Sequence, residues 1–514
     1  MLLASSQGEF FGDQPLSFAP ASKRSNVKRI GVVDVGSNSV RMVVFEGHHR
    51  APSVVFNEKV MCGLGARLQE TGALDPQGKQ RGLRALRRFA ALAPGLHVGA
   101  LAGVGTAAIR DAVDGPAFRD EIERETGIRL TIASGADEAR LAAQGVLFGN
   151  PRARGVVIDL GGASLEFAHI AKGKVGEGLT TQLGPLRLAR IGEEAGIDAE
   201  IKRQLASVAE SHHLGGGTLY LVGGSWRALA RAAMSRSGYP VEVIHEFVMD
   251  PKRTQQLCAW LAEAGEEDLA GLTGISSARL AHLPLAARLL NHVIDALEPG
   301  QLMVSAFGLR EGICLENLAD HVREQDPLIA SCKDQELRRA RVPGFGAELA
   351  DWVETLLPPV DRQEARLMRA AAYLADVNWR THPDFRAQGC WETVTRTTLT
   401  DIGHKGRVWL GAALVIRHKA RWRKRLDQMK TMNLLTETEV DRAVQLGLIL
   451  RLGGTVAGHA PGILRRCKIM REGDKLVLSF EPGMEHLAGE EVEKRLGHAA
   501  RALELEPEIR LPAE

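Results

Sequence analysis

The sequence predicts an α/β protein with two related domains, followed by a helical region and a small mixed unit at the end. Two apolar runs rich in β-branched residues lead to Asp34 and Asp159, and each continues into a turn of small residues and a second apolar run. This repeat predicts two copies of one unit, and alternating strands and helical stretches are typical of α/β proteins. The length of 514 residues also predicts several domains, because single hydrophobic cores stop growing at about 250–300 residues.

Composition narrows the class of protein. Hydrophobic residues make up 45% and charged residues 25% of the chain, an ordinary soluble composition. No apolar run approaches the roughly 20 residues that a membrane-spanning helix needs, so no membrane partner is expected. The six cysteines lie far apart without a C-x-x-C pair, which favours a reducing cytoplasm over disulfides or a zinc site. Residues 1–27 are expected to be a disordered tail, not a signal peptide.

Strand and helix patterns place the domain boundaries near residues 150, 310 and 460. Predicted strands cover residues 29–35, 40–45, 98–104, 128–133, 155–160, 165–170 and 219–222. Beyond residue 310 the apolar spacing becomes helical, and a β-like stretch over 469–480 leads into a last helix. The predicted domains are therefore residues 28–150, 151–309, 310–460 and 461–514.

Turns of small residues follow four of these strands. Glycine allows positive φ and close backbone approach, so successive N–H groups can face one anion. A single turn of this kind is also compatible with an ordinary loop, but four in this order predict a cleft between two domains that binds a phosphate chain. The expected phosphate contacts are Ser37, Asn38, Ser39, Gly105, Thr106, Gly161, Gly162, Ser164, Gly223, Gly224 and Ser225.

At these turns the chain resembles the exopolyphosphatase / guanosine pentaphosphate phosphatase family. The resemblance implies two actin-like (ribonuclease H-like) domains, a helical HD-like domain, a small C-terminal α+β domain, Mg²⁺, a monovalent cation such as K⁺ as a second candidate ion, and a homodimer. Two positions depart from the family pattern: Ala163 replaces a third glycine, and Asp137 replaces a glutamate and is also placed to cap a helix with Ser134. The matching motifs cover residues 34–39, 105–110, 134–141, 159–166, 184–187 and 309–312.

The same resemblance assigns catalytic roles. Glu138 matches the general base, and Arg110 could hold phosphate oxygens with its planar fork. Asp159 and Glu166 match the Mg²⁺ and water site, and Asp34 is expected to join them from the first domain. The residues alone also allow structural roles. Glu138 could be a first-turn acid favoured by the helix dipole, and Arg110 could form a surface ion pair. Asp159 could cap a turn, and Glu166 could be an exposed strand residue.

The helical region lacks the histidine of an HD metal site. Ala375 precedes Asp376 where the metal-binding histidine would stand, so no second metal centre is expected. His382, His404 and His418 are interpreted as surface or structural groups.

A basic run covers residues 401–430, where nine Lys or Arg and two Asp give a net charge of +7. It predicts either a solvated helix face or a track for a long polyanion. Arg421, Arg423, Lys424 and Arg425 are the candidate substrate contacts. Trp409 and Trp422 flank the run, so nucleic acid is kept as an alternative partner.

These features predict a cytoplasmic exopolyphosphatase that removes terminal phosphates processively with Mg²⁺. Guanosine pentaphosphate is the alternative substrate for the same site, and the sequence does not separate the two. An ATP-dependent kinase of the same superfamily would need an adenosine pocket and an acceptor site, for which the sequence gives no sign. A nucleotide-sensing scaffold with a decayed site is disfavoured because Glu138, Asp159 and Glu166 are present.

Overall fold

The computed structural model describes residues 19–20, 29–47 and 49–512. The expected disordered tail over residues 1–27 lies outside the described residues, apart from Ala19–Pro20. Those two residues form a short strand that pairs antiparallel with Leu101 and Ala100, which the sequence did not predict. No helix in the described ranges is long and apolar enough to cross a membrane.

The chain divides into two compact units. The first unit comprises Met1–Tyr239 and Ile244–Gln325, and the second comprises Pro240–Val243 and Asp326–Glu514. The boundaries expected near residues 150 and 460 lie within these units and stay predictions.

The first half of the first unit is built on a mixed sheet. In the described residues its strand order is β4-β3-β2-β5, with β1 and β6 both pairing with β5. Strands β2, β3 and β4 are antiparallel, whereas β2, β5 and β6 are parallel. The elements are β1 (Ala19–Pro20), β2 (Arg29–Val35), β3 (Ser39–Phe45), β4 (Val54–Met61), α1 (Leu68–Thr71), α2 (Pro76–Gly95), β5 (Val98–Gly105), α3 (Ala107–Asp111), α4 (Gly115–Thr126), β6 (Leu130–Ile132) and α5 (Gly135–Gly149).

The second half repeats this topology. Its described strand order is β9-β8-β7-β10-β12-β11, with an antiparallel meander β7–β9 and parallel neighbours β10 and β12. The predicted duplication is thus confirmed by the pairing pattern. The elements are β7 (Gly155–Leu160), β8 (Leu165–Ala171), β9 (Lys174–Thr181), α6 (Pro185–Leu188), α7 (Glu194–His212), β10 (Thr218–Gly223), α8 (Gly224–Ser237), β11 (Phe247–Met249), α9 (Pro251–Glu263), α10 (Glu266–Ala270), α11 (Ser277–Leu280), α12 (Leu283–Leu297), β12 (Gln301–Val304), α13 (Leu309–Glu316) and α14 (Asp320–Arg323).

Helices α5 and α13 cross at glycines between the two sheets, in a core to which both sheets contribute. A Cβ on Gly145 would stand 2.1 Å from the Gly308 carbonyl oxygen, and one on Gly312 would stand 2.0 Å from the Leu141 carbonyl oxygen. Only glycine permits this approach. Arg50 caps the far end of α5, since its Nη1 donates to the Phe148 carbonyl at 2.8 Å. The first turns of both helices are therefore held in fixed positions.

The second unit is mostly helical and ends in a three-stranded sheet within the described residues. Strands β13 and β14 form an antiparallel hairpin, and β15 joins β14 in parallel after a helix. The elements are α15 (Pro327–Arg339), α16 (Phe345–Leu356), α17 (Arg362–Leu374), α18 (Arg386–Thr395), α19 (His404–His418), α20 (Arg423–Asp427), α21 (Glu437–Ala457), β13 (Cys467–Glu472), β14 (Lys475–Phe480), α22 (Glu490–Ala502) and β15 (Glu506–Arg510).

Candidate active site

Two matching turns lie at the ends of β2 and β7. The Gly36 N–H donates to the Ser39 carbonyl at 3.0 Å, and the Gly161 N–H donates to the Ser164 carbonyl at 3.1 Å. Each turn follows its aspartate, Asp34 or Asp159, by two residues. Both copies therefore present the same polar loop at the same end of the same strand.

The two turns approach each other. A Cβ on Gly162 would stand 4.0 Å from the Ser37 Cβ, so the loops of the two halves line one cleft. Gly223 has φ +119°, and a Cβ there would meet the Leu160 carbonyl oxygen at 2.7 Å. Ala163 lies outside the positive-φ region, so the alanine that replaces a family glycine does not strain the loop.

Asp159 and Glu166 stand directly opposite each other on β7 and β8. Directly opposite residues share a face, which agrees with the expectation that the hairpin brings the two carboxylates together. Burial raises the pKa of Asp159 to about 6, against the opposing effects of Arg227 and Arg310. Burial, with the charges of Glu138 and Asp159, raises the pKa of Glu166 well above its ordinary value. Thr180 on β9 donates to Glu166 Oε1 at 3.3 Å.

Glu138 lies in the first turn of α5. Arg110 Nη1 donates to Glu138 Oε1 at 2.5 Å and to the Ala133 carbonyl at 2.9 Å. Burial is the main cause that raises the pKa of Glu138 to about 7; Arg110 acts in the opposite direction, and the charges of Asp159 and Asp34 add to the rise. A carboxyl group in this range can accept a proton near neutral pH.

Asp137 caps the helix that carries Glu138. Ser134 Oγ accepts from the Asp137 N–H at 3.1 Å, and Asp137 Oδ2 accepts from the Ser134 N–H at 3.0 Å. This reciprocal pair is the capping box that the sequence offered as the alternative role of Asp137.

Arg110 is the centre of an ion-pair chain that crosses the cleft. Its Nε donates to Asp111 Oδ1 at 3.0 Å, and Arg187 Nη2 from the second half donates to Asp111 Oδ2 at 3.4 Å. The guanidinium predicted to bind phosphate is therefore paired with two carboxylates, Asp111 and Glu138.

Asp34 forms an ion pair that the sequence did not predict, since Arg310 Nη1 donates to Asp34 Oδ2 at 2.7 Å. Asp34 still raises the pKa of both Glu138 and Asp159. It therefore belongs to one acidic cluster with Glu138, Asp159 and Glu166. Among the described residues, no three acidic, histidine or cysteine side chains are arranged to hold a metal ion by themselves. The carboxylates are hard oxygen donors, and Mg²⁺ is commonly bound by one or two carboxylates together with substrate phosphates and water.

Several cations at the cleft were not assigned a role from the sequence. Arg41 stands opposite Asp34 on β3, and Lys59 stands opposite Arg41 on β4. Arg227 lies in the first turn of α8, and its Nη1 donates to the Ala306 carbonyl at 3.0 Å. A Cβ on Gly224 would stand 3.7 Å from Arg279 Nη2, so the guanidinium lies beside this glycine. Only the hairpin register, unknown before the structure, could have singled out Arg41 and Lys59.

The remaining predicted phosphate contacts occupy different positions. Ser37, Ser39, Gly223, Gly224 and Ser225 are half-buried and Asn38 is exposed, whereas Thr106 and Ser164 are buried. Gly105 is packed against Ile132 and Ile109, so a side chain at this position would collide with its neighbours. The helix after Thr106 has five residues.

The basic run of the second unit is not one solvated face. Arg407 is fully buried and donates to main-chain carbonyls, and Arg417 is 6% exposed. Arg423 pairs with Asp441 at 2.7 Å and Asp427 at 3.0 Å, while Arg421, Lys424 and Arg425 are exposed.

The two tryptophans of the run differ. Trp409 is 5% exposed and belongs to the core. Trp422 lies under the Arg425 guanidinium, 4.4 Å from the ring centroid. Of the two tryptophans that made nucleic acid an alternative partner, only Trp422 is therefore accessible to a base.

Asp376, next to the position of the missing HD histidine, forms a structural ion pair. Arg341 Nε donates to buried Asp376 at 2.9 Å. His382 is exposed and His404 is buried. Burial and neighbouring cations lower the pKa of His418 to about 2, and this imidazole accepts from Arg417 at 2.9 Å.

Known proteins share both the sequence pattern and the fold. The model of the Ppx/GppA phosphatase family matches residues 43–321, and the model "Exopolyphosphatase, C-terminal" matches residues 328–504. Exopolyphosphatase 1 of Mycobacterium tuberculosis is 27% identical over 310 residues, 56% of this chain and 88% of the relative. Guanosine-5'-triphosphate,3'-diphosphate pyrophosphatase of Vibrio vulnificus is 24% identical over 482 residues, 90% of this chain and 93% of the relative.

A solved structure shows the fold. An exopolyphosphatase from Cytophaga hutchinsonii superposes with a TM-score of 0.51 at 21% identity, over 56% of this chain and 96% of that chain. This likeness confirms the predicted actin-like α/β fold. Because the first family model spans more than half of the sequence, the protein belongs to the Ppx/GppA phosphatase family.

Proposed function

We propose that this protein is an exopolyphosphatase that removes terminal phosphoryl groups from inorganic polyphosphate, processively and with Mg²⁺. The observation that supports it most is the approach of the two glycine turns at Ser37 and Gly162. Backbone N–H groups from both halves then face one anion beside the acidic cluster. A linear phosphate chain fits such a cleft, since its end offers oxygens to both loops.

Glu138 acts as the general base in this proposal. Its raised pKa suits removal of a proton from the attacking water near neutral pH. Arg110 leaves its ion pair with Glu138 as phosphoryl oxygens arrive, and its planar fork then stabilises the negative charge of the transition state. The shortened chain leaves as a stable anion, so no strong general acid is required.

Asp159, Glu166 and Asp34 would hold Mg²⁺ together with substrate oxygens. Burial and the charge of Asp34 raise the pKa of Asp159, and burial with the charges of Glu138 and Asp159 raises the pKa of Glu166. A divalent cation would offset this repulsion. When bound, Mg²⁺ supplies charge neutralisation on the phosphoryl oxygens. A monovalent cation such as K⁺ is a further candidate, which activity in K⁺ against a bulky organic cation would test.

Asp159→Ala and Glu166→Ala should each raise the Mg²⁺ concentration needed for half-maximal activity. Each loses an oxygen ligand or a partner of a metal-bound water, and the expected rise is about tenfold, as for lost partners of metal sites. Asp198→Ala is the matched control, since Asp198 pairs with His292 elsewhere in the same half. Unchanged Mg²⁺ titrations in both variants would place the metal elsewhere.

Guanosine pentaphosphate is the second candidate substrate. The observation that favours it is the Vibrio vulnificus relative, which covers nearly the whole chain. Phosphate release from long polyphosphate, guanosine pentaphosphate and ATP with Mg²⁺ tests the choice. We expect the largest kcat/KM for polyphosphate, and a larger value for guanosine pentaphosphate would reverse the assignment.

We propose an HD-like helical domain over residues 310–460, which begins within the first unit, and a small domain over residues 461–514. We also propose a homodimer, which the molar mass from multi-angle light scattering would test. A cytoplasmic location is proposed as well. The six cysteines all carry free thiols, in keeping with a reducing compartment.

Changing Arg421, Arg423, Lys424 and Arg425 together to Glu should raise KM for long polyphosphate and reduce processivity. Attraction by exposed cations acts at a distance and is screened by salt, with a Debye length of about 10 Å at 0.1 M. Tripolyphosphate kinetics should change little. The control exchanges four exposed cations elsewhere in the unit, Lys468, Arg471, Lys494 and Arg501. Equal effects on short and long chains would show that the run is not a substrate track.

A further inference from the structure

A row of charged residues crosses the first sheet at the cleft. Asp34, Arg41 and Lys59 stand directly opposite one another on β2, β3 and β4. Directly opposite residues point to the same face. Neighbouring strands lie about 4.8 Å apart, so the row extends about 10 Å from Asp34 to Lys59.

The second half of the unit brings further cations to this row. Arg310 pairs with Asp34 at 2.7 Å, and Arg227 follows the Gly223 turn in the first turn of α8. Arg279 on α11 places its guanidinium over the start of α8, next to Gly224. The same stretch of the cleft is therefore lined by cations from both halves.

These cations repel one another. Burial first, and then Arg279, Arg41, Arg310 and Arg227, lower the pKa of Lys59. Burial and Arg310 lower the pKa of Arg227 to about 10. Neither Lys59 nor Arg279 has a carboxylate partner among the described residues, so no paired carboxylate offsets the repulsion at these two side chains. An excess of one charge sign in a cleft attracts a ligand of the other sign.

The end of the cleft around Arg110 is differently built. There Arg110 forms ion pairs with Glu138 and Asp111. Arg187 of the other half also pairs with Asp111. This end has paired charges and suits a single reacting group, whereas the row from Arg41 to Lys59 has unpaired cations and suits a run of anions.

We propose that Lys59 and Arg279 bind the phosphoryl groups that follow the reacting one, so that the substrate chain leaves the cleft between β4 and α11. The inference rests on the proposed function and adds a direction to it. A linear polyphosphate carries charge on every unit, whereas guanosine pentaphosphate interrupts its charges with a ribose and base after the 5′-triphosphate and resumes them only at the 3′-diphosphate. The two cations therefore select the linear chain over the nucleotide.

The test compares Lys59→Gln/Arg279→Gln with wild type on long polyphosphate, tripolyphosphate and guanosine pentaphosphate. Charge contacts in a solvent-accessible cleft change binding by up to about fivefold each, so KM for long polyphosphate should rise about tenfold. KM for the other two substrates should rise less, and the difference should narrow at high salt. The control is Lys252→Gln/Arg253→Gln, which removes the same charges from exposed positions on α9 and should match wild type.

Equal KM increases for all three substrates, no increase, or the same effect in the control would overturn the inference. Lys59→Arg keeps the charge and should stay near wild type, whereas Lys59→Gln should not. The two single exchanges answer the question if the double variant fails to fold, as judged by circular dichroism. A wild-type protein that hydrolyses none of the substrates contradicts the proposed function instead, so the two failures are distinguishable.

Discussion

Glu138→Gln should lower turnover by about 10²–10⁴-fold, the usual cost of removing a general base, while the fold and substrate binding persist. The amide oxygen can still accept the hydrogen bond that Arg110 donates at 2.5 Å in the native site, so the geometry is retained. What is lost is the ability to take a proton from water. The measurement is single-turnover phosphate release, with substrate affinity determined separately.

Glu177→Gln is the matched control for this exchange. Glu177 is exposed on β9, in the sheet that carries Asp159, and its exchange should leave turnover unchanged. Near-normal turnover of Glu138→Gln would remove Glu138 from the mechanism and leave the acidic cluster to act through the metal alone.

Gly312→Ala should destabilise the first unit by about 3 kcal/mol, at the upper end of ordinary overpacking. The added Cβ would stand 2.0 Å from the Leu141 carbonyl oxygen, so α5 and α13 must separate. Activity should fall as well, because α5 carries Glu138 and α13 carries Arg310. Differential scanning calorimetry and phosphate release on the same preparation measure both effects.

The same exchange at Gly497 should have the opposite sign. Gly497 lies within α22 with nothing within 4 Å of an added Cβ, and alanine is favoured over glycine in a helix by about 0.5–1 kcal/mol. If Gly312→Ala is as stable as wild type, the crossing of α5 and α13 is looser than the structure indicates.

The sequence was sufficient for features that arise from neighbouring residues. The strands before Asp34 and Asp159 and the turns after them are local patterns, and Asp159 and Glu166 fall opposite each other because one short hairpin joins them. Ser134 and Asp137 likewise form their cap within one helical turn.

Features that depend on distant segments were missed. Arg310 reaches Asp34 across 276 residues of sequence, and Lys59 joins the row only through the register of β3 and β4. The division of the basic run into buried and exposed cations was missed for another reason. Arg407 and Arg417 lie on α19, which is buried around most of its circumference, and a charge count does not separate buried cations from exposed ones.

The most direct test of the account is hydrolysis of polyphosphate in ¹⁸O-labelled water, followed by mass spectrometry of the orthophosphate. Water attack on the terminal phosphorus breaks the bridging bond to the next unit and leaves the water oxygen on the released group. We expect one ¹⁸O in each orthophosphate released and chains that shorten from the end. Unlabelled orthophosphate, or fragments cut from the middle of the chain, would contradict terminal attack in this cleft.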